Sequence, residues 1–193
     1  VQGMQSIAMG FQAGFTGQSD NAIAIGALAG QATQGLKSIA IGNQAGTTNQ
    51  DQNSIAVGSQ AGQTSQGPQA IAIGPQAGQT SQGPQSVAIG FLAGNSSQSP
   101  HSIAIGPQAG QTSQTDNCVA IGYQAGQSNQ GTESVAIGHT AGIDTQGAAA
   151  IAIGSLTAVS TQGPQSIAIG LAAGNSNQSA QSVAIGSQAG QTT

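Results

Sequence analysis

Ser102-Ile103-Ala104-Ile105-Gly106, followed by Gln108-Ala109-Gly110, is one copy of a pattern that returns every sixteen residues along the chain. The same spelling stands at Ser38-Ile39-Ala40-Ile41-Gly42 with Gln44-Ala45-Gly46. Twelve copies run in phase without insertion or deletion, the first starting at Ser6 and the last at Ser182. The consensus reads Ser-Ile-Ala-Ile-Gly-x-Gln-Ala-Gly-x-Thr-x-Gln-Gly-x-Gln. A fixed period of this kind has to be read before any local propensity, because it decides the architecture.

Sixteen residues are too few for a repeat built from a pair of helices and suit one coil of a β-solenoid. In Ser-Ile-Ala-Ile-Gly, bulky and small residues alternate, which is the period of a strand. Ile7 and Met9 point to one side, and Ser6, Ala8 and Gly10 to the other. A second, more polar strand is expected near Gln12-Ala13-Gly14, or slightly later through Thr64-Ser65-Gln66. Gly-Pro-Gln, as in Gly67-Pro68-Gln69, makes the return turn, because proline presets φ and glycine frees it. The 31 glycines and the many β-branched residues disfavour helix throughout. The expected fold is all-β: a parallel β-solenoid of about twelve 16-residue coils with two short strands each, one domain spanning 1–193. At about 4.8 Å per coil the rod is roughly 55–60 Å long.

Copies within the chain show which columns the architecture holds. Ala8, Ala24, Ala40, Ala56, Ala72, Ala88, Ala104, Ala120, Ala136, Ala152, Ala168 and Ala184 form an unbroken alanine column. Beside it run Ile7, Ile23, Ile39, Ile55, Ile71, Val87, Ile103, Val119, Val135, Ile151, Ile167 and Val183. These two columns are the candidates for core or protomer packing. Gln18, Gln34, Gln50, Gln66, Gln82, Gln98, Gln114, Gln130, Gln146, Gln162 and Gln178 form a third column, expected to be an amide-to-amide ladder up the rod. A charge in any column would repel its like one coil away, which accounts for a charged fraction of only 3%.

The aliphatic columns make a thin core for a chain of this length, so an obligate oligomer is expected. Either the flat Ala/Ser/Gly face or the Ile/Val face is buried between protomers, and the pattern alone leaves that choice open.

Composition excludes several functions. Lys37 is the only basic residue apart from two histidines, so there is no cationic footprint for nucleic acid. No apolar run approaches the roughly 20 residues that span a bilayer. Asp20, Asp51, Asp116, Glu133 and Asp144 fall in turn-prone stretches with no recurring partner, so they read as turn formers rather than acid/base pairs. His101 and His139 lie in different columns with no clustered carboxylate or thiol, which is too few ligands for a metal. Cys118 occupies a column otherwise filled by Ser and Ala, as at Ser102, Ser134 and Ala150, and reads as a small packed side chain. The Gly10–Gly14 spacing lacks the lysine and following helix of a phosphate loop and reads as turn geometry. Phe11, Phe91 and Tyr123 share a variable column with Ser59, Pro75, Pro107 and His139, which marks them as exposed. No catalytic, cofactor-binding or metal-binding residue is expected.

Ser-Val-Ala-Ile-Gly, at Ser86–Gly90, Ser134–Gly138 and Ser182–Gly186, resembles the head repeat of the trimeric autotransporter adhesins, the YadA-like heads. The unit Ala120–Gly131 is also similar to fibre repeats of phages and large DNA viruses. The resemblance implies a left-handed parallel β-roll assembled as a homotrimer. It further implies a non-enzymatic structural and adhesive fibre at a cell or virion surface, exposed to the exterior. Its partners would be copies of itself and a host receptor, matrix protein or glycan. The neck, stalk and anchor of such adhesins, and the self-cleaving chaperone of the viral fibres, have no counterpart in the sequence. The chain therefore reads as a segment of a longer protein. An ice-binding solenoid is the alternative function, suggested by ranks of Thr64, Thr80 and Thr112 beside Ser65, Ser81 and Ser113.

Overall fold

A computed structural model of the chain describes residues 2–191. It shows an all-β parallel solenoid of about eleven turns, with no helix among the described residues. Twelve three-residue strands, from Ile7–Met9 to Val183–Ile185, form one parallel sheet. Ten further strands, from Thr16–Gln18 to Thr161–Gln162, form the other. Every strand pairs with the one sixteen residues on, as in Ile103↔Val119, Ala104↔Ala120 and Ile105↔Ile121. The second strand of each coil is thus Thr64–Gln66 and its equivalents, the later of the two placements the sequence allowed.

Turn chemistry closes each coil. Gly42 has φ near +132°, and a Cβ built on it would lie 2.5 Å from the carbonyl oxygen of Gly58 in the next coil. Backbones touch at this corner, so a glycine is required on both counts. Gly46 has φ near +51°, and its Cβ would meet the side-chain oxygen of Gln50 at 2.6 Å. Three non-glycine columns also adopt left-handed φ, represented by Gln60, Ser65 and Gln69. The second of these sits in the middle of the polar strand. It explains why Thr80↔Ser96 and Gln82↔Gln98 register while Ser81 has no partner. Corner amides are not left unpaired: Gln60 N donates to Asn43 O at 2.8 Å and Gly62 N to Ala77 O at 2.9 Å, laddering the turns as well as the strands.

The alanine side of the first sheet faces the coil interior. Ala24 through Ala168 in that column are fully buried, and a second alanine column, Ala29 through Ala141, is buried against it. The glutamine column fills the rest of the interior, with Gln34 through Gln162 almost completely enclosed. All eleven glutamines donate Nε2 to a first-strand carbonyl eleven residues earlier, for example Gln66 to Ile55 O at 2.8 Å and Gln34 to Ile23 O at 2.7 Å. The expected amide ladder is present in part. It runs Gln50–Gln66–Gln82 and Gln114–Gln130–Gln146–Gln162–Gln178, with Gln66 Nε2 donating to Gln82 Oε1 at 3.1 Å. The bond across the coil is therefore the constant one, and the bond along the rod is secondary.

Where the repeat departs from its consensus, the second sheet thins. Thr157 and Ala158 replace the usual Ala-Gly, and the strands Thr145–Gln146 and Thr161–Gln162 shorten to two residues. The buried Thr157 hydroxyl donates to Gly170 O, and Ala158 keeps the left-handed φ of the glycine it replaces. The first sheet continues through these coils unchanged.

These contacts set measurable costs. Gln66→Leu keeps the bulk but strips the amide from the Ile55 carbonyl, and lowers stability by about 1–3 kcal/mol in a denaturant titration. Gly42→Ala, which drives a methyl into the Gly58 carbonyl in a disfavoured φ region, costs about 3 kcal/mol or more. Ala149→Gly has the opposite sign. Ala149 is exposed at φ near +55°, and releasing its Cβ strain stabilises the rod by about 0.5–1 kcal/mol in the same titration.

Candidate interaction surface

With alanine and glutamine inside, the bulky residues of the first strand face outward. Ile23/Ile25, Ile39/Ile41, Ile55/Val57 and their equivalents make a flat stripe two residues wide along the whole rod. Most of its side chains are half-buried by their neighbours one coil away. Exposure rises to 39% at Ile73, and at the two ends to 48% at Ile7 and 65% at Val183. Of the two faces that the sequence left open for contact between copies, the Ala/Ser face is thus already used within each coil, and the Ile/Val face remains available.

Just beyond the closing glycine of the first strand lies the variable column. Phe11, Phe91, Tyr123 and Leu171 are exposed there, as expected for the aromatics, and Tyr123 stacks on His139 with ring centroids 5.2 Å apart. Next to it run surface amides paired coil to coil. Gln76 Nε2 donates to Gln60 Oε1 and Gln60 Nε2 to Gln44 Oε1, both at 3.0 Å. A parallel row links Asn95 to Gln79 and Gln79 to Gln63, again at 3.0 Å.

The second sheet presents hydroxyls. Thr48, Thr64, Thr80 and Thr112 each donate Oγ1 to a carbonyl of the next coil, at 3.1–3.3 Å. Those donors are used to tie coils together, and the left-handed residue beside each one puckers the strand. The threonine row is therefore not a rank of free hydroxyls, while Ser65, Ser81 and Ser113 beside it stand exposed.

The polar residues singled out in the sequence are not brought together. Asp51, Asp116, Glu133 and Asp144 are exposed in turns and Asp20 is half-exposed. Asp20 Oδ1 accepts from Met4 N of the preceding coil at 2.7 Å, and Asp51 Oδ1 from the adjacent Gln52 N at 2.8 Å. His101 and His139 are exposed on different corners. Among the described residues no group of three His, Cys, Asp or Glu is placed to hold a metal ion. Cys118 is fully buried in the Ser/Ala column, its Sγ 3.0 Å from Gly131 O, while serines of that column, such as Ser38, donate to a turn carbonyl at 2.7 Å. A shallow depression of about 260 Å³ lined by Thr33, Gly35, Asn49, Gln50 and Asp51 carries a single ionisable group. Among the described residues, no helix is long and apolar enough to cross a membrane.

The residues that the sequence undervalued are the second alanine column and the outer amide rows. Alanine at Ala29, Ala45 and Ala61, in a column that admits only one exception, was the available sign of a narrow interior. The paired surface glutamines had no such sign, since their columns also accept Leu28, Leu92 and Thr140.

No curated protein and no solved structure matches the chain. Residues 34–61 and 65–93, less than half of the sequence, each match the family model of the YadA head domain repeat. The matched stretches, which are similar to YadA head repeats, contain the same inward alanines, bracing glutamines and outward isoleucines as the unmatched coils.

Proposed function

We propose that this segment is the rigid, non-enzymatic rod of an adhesive surface fibre, in which three copies assemble through the Ile/Val stripe. The observation that carries the reading is the stripe itself: twelve successive layers of outward aliphatic side chains on an otherwise polar and nearly uncharged solenoid. At about 4.8 Å per layer and about 10 Å for three residues of strand, it covers about 500 Å² in projection. That is at the upper end of the apolar patch a monomer leaves exposed. Burying it contributes about 25 cal/mol for each Å² removed from water. A two-fold sandwich of rods would also cover the stripe. The likeness to YadA heads, which form homotrimers, supports three copies around an axis.

In that arrangement the hydroxyl and amide faces point outward and are the surfaces available for attachment at a cell or virion exterior. A face without charges recognises its partner by hydrogen bonding and shape, whether that partner is a host receptor, a matrix protein or a glycan. Such attachment resists added salt, because there is little Coulomb attraction to screen.

Analytical ultracentrifugation of the segment tests the assembly. A trimer at micromolar concentration is expected. Ile121→Asp, which brings three carboxylates together in the stripe, weakens association by about 100-fold or more, the desolvation cost of an unpaired buried charge. A stable monomer of the unaltered chain contradicts the reading.

A further inference from the structure

We propose that the non-repeating residues along the two edges of the aliphatic face act as keys that fix the axial register between copies of this chain. The proposal rests on the trimer reading above and adds to it a specificity that the stripe cannot provide. Register is a real difficulty for such a rod. Sliding one copy past another by a single coil sets Ile and Val against Ile and Val again, and forfeits one of twelve layers. The inward columns are hidden, and the outward stripe repeats from Ile23 to Ile185 with only Ile and Val. The centre of the face distinguishes the aligned assembly from a slipped one only weakly, by the single methylene between Ile and Val and by Met9 at one end.

The edges do distinguish them. In a ring of three, each contact is heterologous, so one edge of a face meets the opposite edge of its neighbour. One edge is the column just past the closing glycine, where Phe11, Phe91, Tyr123 and Leu171 stand exposed among small or polar residues such as Asn43, Ser59 and Ser155. Each follows an outward residue of the stripe by a single glycine: Met9, Ile89, Ile121 and Ile169. Their exposures of 71%, 49%, 44% and 53% show that no other part of their own chain covers them. The opposite edge, just before each first strand, is a row of Gln and Asn interrupted by Lys37, His101, Glu133 and Ala149, all exposed.

The placement along the rod is irregular. Phe11 and Phe91 are 80 residues apart, Phe91 and Tyr123 are 32, and Tyr123 and Leu171 are 48, that is five, two and three coils. A slip of one coil therefore places none of these side chains where another stood. The Tyr123–His139 stack adds a fixed two-coil protrusion to the same edge. The occupant of these edges is accordingly a second copy of the same chain, whose complete set of keys coincides at one height only, slips of two, three or five coils matching only some of them.

Disulfide trapping between copies reads the register directly. With Cys118→Ser as background, chains carrying Ile137→Cys and chains carrying Ile153→Cys, distinguishable by mass, are co-expressed. A bridge needs Cα atoms within about 7 Å, and an axial offset of about 5 Å takes a mixed pair out of reach. With the edges intact, only bridges between like chains are expected. Replacing Phe11, Phe91, Tyr123 and Leu171 by Ser is expected to leave a trimer by sedimentation and to produce bridges between unlike chains. Should that variant dissociate, the pair Phe91→Pro with Pro107→Phe keeps the composition and moves one key by a coil, and the unlike bridge is expected there. Unlike bridges absent from both variants, with trimers retained, would overturn the keys and leave the trimer standing. A monomeric unaltered chain would remove the trimer reading itself, and the keys with it.

Discussion

The amide of a buried glutamine, braced across the coil to a strand carbonyl, is the interaction on which the rest of this molecule depends. The interior of each coil is narrow: it holds two alanine methyls, one glutamine and, before the first strand, a small Ser, Ala or Cys. At that width neither sheet can pack a large aliphatic side chain inward, and a polar residue is needed to reach the far wall and hydrogen-bond there. Gln66, fully enclosed, does so with its Nε2 on Ile55 O at 2.8 Å, and the same bond recurs in each of the eleven coils that contain the glutamine. Packing density and backbone satisfaction are met by the same side chain. A Cβ on Gly46 would crowd the Gln50 oxygen, yet at the equivalent Ala158 the chain accommodates one, and Gln162 still donates to Ile151 O at 2.8 Å.

An interior filled by alanine and glutamine has consequences outside. The residues with the greatest tendency to leave water, the isoleucines and valines of the first strand, have nowhere to go but outward. They gain partial cover from their neighbours along the rod, and the remainder forms a continuous stripe. The coil is thus inverted relative to an ordinary sheet packing: small and polar within, aliphatic without. In the proposed trimer, self-association would complete the burial that a lone chain leaves unfinished, and stability and assembly would then be coupled. The scarcity of charge belongs to the same logic. In-phase stacking places every side chain about 4.8 Å from its equivalent, where like charges repel and amides can pair.

Much of the fold was legible in the sequence because the period is unbroken. The sixteen-residue spacing, the alternation in Ser-Ile-Ala-Ile-Gly and the Gly-Pro-Gln turns were sufficient for the parallel solenoid and its two strands per coil. Alternation says which residues share a side, but not which side is the interior, and here size misleads. Ile103 and Ala104 are adjacent, and the smaller of the two is the buried one. The position of the second strand was open because Ser65, in its middle, takes a left-handed conformation that no simple strand pattern anticipates. The glutamine column was visible as a column, whereas its main partner is a backbone carbonyl across the coil, and backbone acceptors leave no mark in a sequence. The surface is the least legible part, since the side chains that differ from coil to coil, Phe91 and Tyr123 among them, are the ones that repetition cannot interpret.

The inside-out packing is the central claim, and a crystal structure of the assembled segment tests it most directly. Alanine and glutamine columns enclosed within each chain, with the isoleucines and valines of neighbouring chains meeting across the contact, is the predicted result. Electron density placing Ile103, Val119 and Val135 inside their own coils, with Ala104, Ala120 and Ala136 turned to the neighbouring chain, would contradict it.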